Sequence, residues 1–127
     1  MLTRPDQIGV PKEIEEMLCA DETVYAKAKQ SRLLPGGKEV NPGEIFVTNT
    51  RLFMYEHKLF GRGNIADLHF GDVANVQLKK GIFSNEITVI PRFEGVDKIK
   101  ISAANKDVSY KIVELINNGI ELQGRRI

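Results

Sequence analysis

The residues best suited to chemistry are four basic side chains around the first predicted turn. No acidic residue interrupts the stretch 24–38, which contains Lys27, Lys29, Arg32 and Lys38. Lys27 and Lys29 alternate with alanines and so share one strand face, about 7 Å apart, because each strand residue advances about 3.3 Å. Such a set could hold an anion through several charge-assisted hydrogen bonds. The alternative interpretation is a solvated strand face, which most charged stretches are.

Nucleophilic and metal chemistry have little support in the residue types. The chain contains one cysteine, Cys19, and two histidines, His57 and His69, too few for a zinc site without carboxylates. There is no glycine-rich phosphate loop and no nucleophile elbow. Nothing in the sequence pairs either histidine with a nucleophile. We therefore expect no catalytic residue, no metal and no cofactor, and we expect Cys19 to be a half-buried packing residue.

Large apolar residues occupy two predicted turns. Leu59 and Phe60 lie after the third predicted strand, and Ile82 and Phe83 follow Gly81. Apolar side chains on a turn are unfavourable in water unless something packs on them. These four residues are therefore either covered by a terminal helix or form a contact patch for another subunit or a partner protein.

Composition narrows the possible functions. The chain has 127 residues, the size of one domain. Its 18 Lys and Arg against 17 Asp and Glu give a net charge of +1, so it lacks the basic excess of a nucleic-acid-binding protein. No apolar run approaches the roughly 18 residues of a membrane span, and the N-terminus lacks the apolar core of a signal peptide. We expect a cytoplasmic protein.

Seven short strands are predicted to position these residues, five from period-two alternation and two from apolar runs bounded by turn signals. They fall near residues 24–33, 44–48, 51–55, 66–70, 76–79, 86–89 and 98–101. Val24, Ala26 and Ala28 should face one side of the first strand. The second and third strands are nearly continuous apolar runs, which is typical of strands covered on both faces.

Helical periodicity predicts one helix at each end of the chain. The first covers residues 11–19 and starts with a proline, which suits the first helical position. Its apolar stripe consists of Ile14, Met17 and Leu18. The second follows Asn105, a plausible N-cap, and ends either at residues 117–119 or near residue 122. Its stripe consists of Val108, Ile112, Leu115 and Ile116.

The order of the elements and one hairpin resemble a known family. Residues 48–55, Thr-Asn-Thr-Arg-Leu-Phe-Met-Tyr, resemble the T-N-x-R-L-x-x-Y hairpin of bacterial pleckstrin-homology (PH)-like domains and their GRAM relatives. Residues 68–81 resemble the strand, acidic turn and strand that follow in that family. The resemblance implies a mostly β fold: a partly open seven-stranded barrel or sandwich capped by one C-terminal helix, with a short N-terminal helix added.

The resemblance also bears on function. PH domains that bind phosphoinositides use basic residues at the first hairpin loop and further ones on the second strand. Here Phe46, Val47 and Thr48 stand on that second strand instead. Relatives in the bacterial family are thought to self-associate through sheet edges. The superfold hosts lipid, peptide and protein binding alike, so the fold does not select among them.

Two functional hypotheses follow, both for a PH-like domain at residues 21–127 preceded by a lead-in and short helix at 1–20. The first is a non-enzymatic binding or scaffolding module that acts by protein–protein contact or self-association. Its candidate contact residues are Leu59, Phe60, Ile82 and Phe83. The alternative is a module for anionic lipid headgroups on a membrane surface. Its candidate residues are Lys27, Lys29, Arg32 and Lys38.

Overall fold

A computed structural model of the chain describes residues 4–30, 43–56 and 64–124. The described residues form one antiparallel sheet of seven strands in the order β4-β3-β2-β1-β7-β6-β5. The strands are β1 (Val24–Gln30), β2 (Glu44–Thr48), β3 (Arg51–Glu56), β4 (Asn64–His69), β5 (Val73–Lys79), β6 (Asn85–Pro91) and β7 (Ile99–Ala103). The helices are α1 (Lys12–Glu15) and α2 (Lys106–Gly124). The sheet curls into a half-barrel, which confirms the predicted mostly β fold.

Helix α2 covers the inner face of the curled sheet. Ile112 and Ile116 are fully buried in a core cluster with residues of six strands, and Val108 and Leu115 are half-buried beside them. Asn105 caps the helix, because its Oδ1 accepts the N–H of Asp107 at 2.9 Å. The predicted stripe and N-cap are confirmed.

Helix α2 continues through the residues that could have ended it. Gly119 is buried and its Cα faces the ring of Phe70 so closely that a Cβ would overlap the ring. Phe70 lies in the 3-10 turn Phe70–Asp72 between β4 and β5 and is itself buried. The glycine therefore permits a close helix approach and does not terminate the helix.

The N-terminal segment covers the outer face of β2 and β3. A second buried cluster there, separate from the inner core under α2, joins Ile14 of α1 to Phe46, Phe53 and Tyr55 of the strands. We call it the outer cluster. This explains the continuous apolar runs in β2 and β3, which are buried on both faces.

Helix α1 is shorter than the predicted helix and ends at Glu15. Ile14 and Leu18 contact the outer cluster, but Met17 is exposed. Cys19 is also exposed, so the prediction of a half-buried Cys19 is wrong. The chain leaves helical geometry after Glu16, so Met17 and Cys19 lie exposed while Leu18 still packs on the cluster.

A β-bulge at the start of β1 divides its buried residues between two faces. Val24 stands opposite Thr48, whereas Ala26 stands opposite Val47, so one extra residue separates the two pairs. Val24 therefore belongs to the outer cluster and Ala26 to the inner core. The prediction that Val24 shares a face with Ala26 is wrong, because a bulge reverses the alternation of side chains.

Candidate functional site

The hairpin motif at residues 48–55 is built around a buried ion pair. Arg51 grips Glu22 with two parallel hydrogen bonds, from Nε to Oε2 and from Nη2 to Oε1, each 2.9 Å long. The two residues are 8% and 7% exposed. The remaining guanidinium donors reach Asp67 Oδ2 at 3.0 Å and the carbonyl oxygen of Met17 at 2.7 Å. Arg51 thus joins β3 to β4, to the start of β1 and to the N-terminal segment.

Hydroxyl and main-chain donors complete the shell around Glu22. Thr48 Oγ1 donates to Oε2 at 2.7 Å and Thr50 Oγ1 at 2.9 Å, and the N–H of Cys19 donates to Oε1 at 3.1 Å. Burial would raise the pKa of Glu22, but the hydrogen bonds from Arg51, Thr48, Cys19 and Thr50 outweigh it and hold the pKa at about 2. The hydrogen bond to Glu22 raises the pKa of Arg51 in turn.

The last residue of the motif fastens the N-terminal segment. The hydroxyl of Tyr55 donates to Oε2 of Glu13 at 2.8 Å, and this bond raises the pKa of Tyr55. Asn49 ties the hairpin to the chain before β1, since its Oδ1 accepts the N–H of Thr23 at 3.0 Å. The motif therefore has a structural role: its polar side chains form hydrogen bonds that hold the N-terminal segment and the start of β1 against the hairpin.

The basic set at the first hairpin is only partly available for binding. Lys27 forms an ion pair with Glu44, with Nζ 2.9 Å from Oε2, and its Nζ lies 5.6 Å from the ring centre of Phe46. Lys29 is exposed and has no ion-pair partner among the described residues. Arg32 and Lys38 lie outside the described residues.

The predicted apolar turn between β5 and β6 is strongly exposed. Ile82 is 87% exposed and Phe83 is 89% exposed, side by side at the tip of the hairpin. The possibility that a terminal helix covers this pair is excluded. The other candidate pair, Leu59 and Phe60, lies outside the described residues.

The exposed turn at Ile82 and Phe83 is held in place by a buried polar side chain at the base of the hairpin, Asn85. Oδ1 of Asn85 accepts the N–H of Gly81 at 3.3 Å, and its Nδ2 donates to Oγ of Ser109 on α2 at 2.8 Å. Asn85 and Ser109 are fully buried. Gly81 sits so close to the carbonyl oxygen of Ser84 that a Cβ would not fit. The turn is thus fixed to the first turns of α2 while its two apolar side chains face solvent.

We define the tip surface as Ile82, Phe83 and the flanking Lys80 and Tyr110. The Lys80 Nζ lies 5.9 Å from the ring centre of Tyr110, which is itself partly exposed on α2. The tip surface combines a large apolar area with a cation at its rim. That composition suits the anchor of an interface, in which aromatic side chains dominate and charges stand at the edge.

The comparisons with known proteins agree with this fold and motif. The model of the bacterial PH domain family matches residues 18–118. This chain belongs to the bacterial PH domain family. PH domains are typically non-catalytic modules that bind or scaffold, through protein or lipid contacts.

Two known proteins are similar to this bacterial PH domain. The solved structure of a pleckstrin homology domain from Shewanella amazonensis SB2B matches with a TM-score of 0.51 and 14% identity, over 85% of this chain and 92% of that one. An uncharacterised protein of Archaeoglobus fulgidus is 27% identical over 111 residues, which cover 87% of this chain and 55% of that protein. The chain thus spans about half the length of this curated relative.

The described ranges of this PH domain, 4–30, 43–56 and 64–124, contain no group of three or more His, Cys, Asp or Glu side chains close enough to hold a metal. His69 lies 3.4 Å from Asp67, a carboxylate already shared with Arg51. Within the same ranges, no helix has the length and hydropathy that a bilayer-spanning segment needs.

Sequence reasoning missed the two buried residues on which these features depend. Glu22 was not distinguished from other acidic residues, and Asn85 was not distinguished from other strand residues. Glu22 precedes a strand and Asn85 begins one, positions where polar residues are common. The spacing of Glu22 and Arg51, 29 residues apart, carries no periodic signal.

Proposed function

We propose that this PH domain is a non-enzymatic scaffolding module that binds through the tip surface, and that its partner is a protein, a second copy of the chain. The observation that carries the proposal is the exposure of Ile82 and Phe83 on a turn fixed by Asn85. Because the turn is already fixed, binding through it costs little conformational entropy of the loop. Burying each side chain contributes about 1.5–3 kcal/mol.

The partner is proposed to be apolar at its contact because the tip surface is apolar at its centre. Two side chains anchor an interface but do not fill one, since stable interfaces bury about 800 Å² per partner. The half-exposed Tyr110 beside them extends the surface along α2. In a symmetric dimer both subunits contribute the same tip surface, so every residue in it contributes to the interface twice.

Light scattering coupled to size exclusion tests this proposal. The wild type should show a mass above 14.3 kDa that survives moderate salt, because its contact is apolar. Ile82→Ser/Phe83→Ser should return the mass to that of one chain. The matched control is Phe93→Ser/Val96→Ser, a pair of apolar residues 57% and 50% exposed between β6 and β7, and it should leave the mass unchanged. A wild type that is monomeric at all concentrations would reject the proposed partner.

A second candidate function is the binding of anionic lipid headgroups. It is favoured by Lys29, which is exposed and forms no ion pair with any residue that the structure describes. The ion pair of Lys27 with Glu44 weighs against it, because it removes one of the two charges that β1 could offer. Sedimentation with phosphatidylglycerol vesicles tests it. Lipid binding should collapse as salt rises and should be lost in Lys29→Glu, whereas the tip variant should not affect it.

A further inference from the structure

An open groove runs beside β1 on the side away from β2. In the described part of the chain, the ladder between β1 and β7 has two rungs, Lys29 with Ser102 and Gln30 with Ile101. Strand β7 ends at Ala103, and α2 begins at Lys106. The chain thus turns away from the sheet, and no strand of the described residues pairs with the first half of β1 on that side.

The main chain of Lys27 faces this groove. The N–H of Gln30 donates to the carbonyl oxygen of Gly43 at 2.7 Å, so Gln30 points its N–H toward β2. Successive residues of a strand point their main-chain groups to opposite sides. The main-chain groups of Lys29 and Lys27 therefore point to the β7 side. Those of Lys29 pair with Ser102, and those of Lys27 face the groove. A free strand edge of this kind is a template for pairing with another strand.

The groove is large enough for a short peptide segment and is mainly apolar. Its volume is about 540 Å³, and its walls run along β1 from Tyr25 to Lys29. Its lining includes the small residues Ala26, which is itself buried, and Ala28, together with Val108 of α2. Glu44 of β2 lines it as well. Ile8 of the N-terminal segment lines the outer end. Lys29 is already paired with Ser102, so the free edge runs from Tyr25 to Ala28. These four residues span about 13 Å, and the edge could pair with about four residues of a partner.

The charges at the groove favour an acidic occupant. Lys27 and Lys29 stand on the outer side of β1, and Glu44 neutralises Lys27. Lys29 is left with no ion-pair partner among the described residues. At the helix side, Nζ of Lys111 lies 5.8 Å from the ring centre of Tyr25. The position opposite Lys29 belongs to Ser102. An occupant beside Lys27 that carries a carboxylate on the outer side would place this charge within reach of the flexible Lys29 side chain.

We propose that this groove binds an extended acidic peptide segment of a partner protein, which adds to β1 as an extra strand. Apolar side chains of the segment alternate toward Ala26, Ala28 and Val108, and an acidic side chain between them faces Lys29. Main-chain hydrogen bonds to Lys27 provide affinity, and the two faces of the segment provide specificity. This site is separate from the tip surface and does not depend on it.

Titration of the labelled protein with a blocked peptide, Val-Glu-Val-Glu-Val, tests this site by nuclear magnetic resonance. We expect shifts at the amides of residues 25–29 and slower hydrogen exchange at Lys27. The Val-Lys-Val-Lys-Val peptide should bind about tenfold more weakly, as should the acidic peptide to Lys29→Glu, since one hydrogen bond to a charged group is lost. Lys79→Glu, an exposed lysine on the far edge strand β5, is the matched control and should bind as the wild type does.

Peptides with methylated main-chain nitrogens separate strand addition from other binding. Methylation of one alternate set of nitrogens should abolish binding, and methylation of the other set should not, because only one set faces β1. Equal effects of both sets, equal binding of both charge versions or shifts confined to Ile82 and Phe83 would each overturn the proposal. Absence of binding at millimolar peptide would also overturn it, and so would phosphatidylglycerol vesicles that displace the peptide in a manner dependent on Lys29.

Discussion

Arg51 and Glu22 face each other across the start of the sheet in a two-point ion pair, with both hydrogen bonds 2.9 Å long. The pair fixes the β2–β3 hairpin against the residues that lead into β1. A buried carboxylate with this many donors is stable only in its charged form, and its loss would leave Arg51 buried without its main partner. The stability of the domain therefore depends on pH through Glu22.

Glu22→Gln tests this dependence. The pKa of Glu22 is lowered from 4.5 to about 2 in the folded protein, so its contribution is present above about pH 4.5 and is lost as the pH falls toward about 2. At about 1.4 kcal/mol per pKa unit, the variant should lose on the order of 3 kcal/mol of unfolding free energy at neutral pH. Urea denaturation across this pH range should show the difference from wild type shrinking on acidification. The exposed Glu16→Gln is the control, and a difference that stays constant with pH would contradict the prediction.

Ile116→Ala tests whether α2 is part of the inner core. Ile116 is fully buried, and truncation of such a residue costs about 2–5 kcal/mol. Thermal denaturation should show a clear fall in Tm, while Leu122→Ala, an exposed position on the same helix, should stay close to wild type. Equal melting of the two variants would show that the helix is not packed as described.

Gly119→Ala should destabilise the domain although alanine is the better helix former by about 1 kcal/mol. The added Cβ would overlap the ring of Phe70, so the helix or the ring must move. The exposed Asn118→Ala, one residue earlier, should be neutral or slightly stabilising. A double variant with Phe70→Ala should lose less than the sum of the two single changes, because the clash is then absent. An additive result would place the effect of Gly119 elsewhere.

Tyr55→Phe tests the attachment of the N-terminal segment, since it removes the hydrogen bond to Glu13. A loss of about 1 kcal/mol would raise the open population of the segment roughly fivefold. Trypsin should then cleave after Lys12 faster by a similar factor, while Tyr110→Phe, on the exposed side of α2, should not alter the rate. Because the segment covers Phe46 and Phe53, we propose that residues 4–20 are an integral part of the domain. Unchanged cleavage in Tyr55→Phe would count against this.

Local patterns in the sequence were enough to predict the strands and α2. The alternation of Ile87 and Val89 and the stripe of Ile112 and Ile116 reflect burial directly, and the structure confirms both. The two-sided burial of β2 and β3 was also visible, because apolar residues occupy consecutive positions there.

Features set by contacts between distant residues could not be predicted in this way. The bulge that moves Val24 to the outer face depends on the register with β2, and the role of Gly119 depends on Phe70, 49 residues away. At the candidate site, the sequence identified Ile82 and Phe83 as unusual but left open whether a helix covered them. The answer depends on the position of α2 relative to the hairpin. The hydrogen bond between Asn85 and Ser109 helps to fix that position.

The most direct test of the proposed function is methyl nuclear magnetic resonance of the wild type over a dilution series. If the tip surface binds a second copy, the methyl signals of Ile82 should move with concentration in step with the molecular mass, because the partner's surface covers them. The methyl signals of Val96, exposed on another turn, should stay fixed. Signals of Ile82 that do not change while the mass changes would place the contact elsewhere on the domain. A mass that stays at 14.3 kDa throughout would contradict self-association itself.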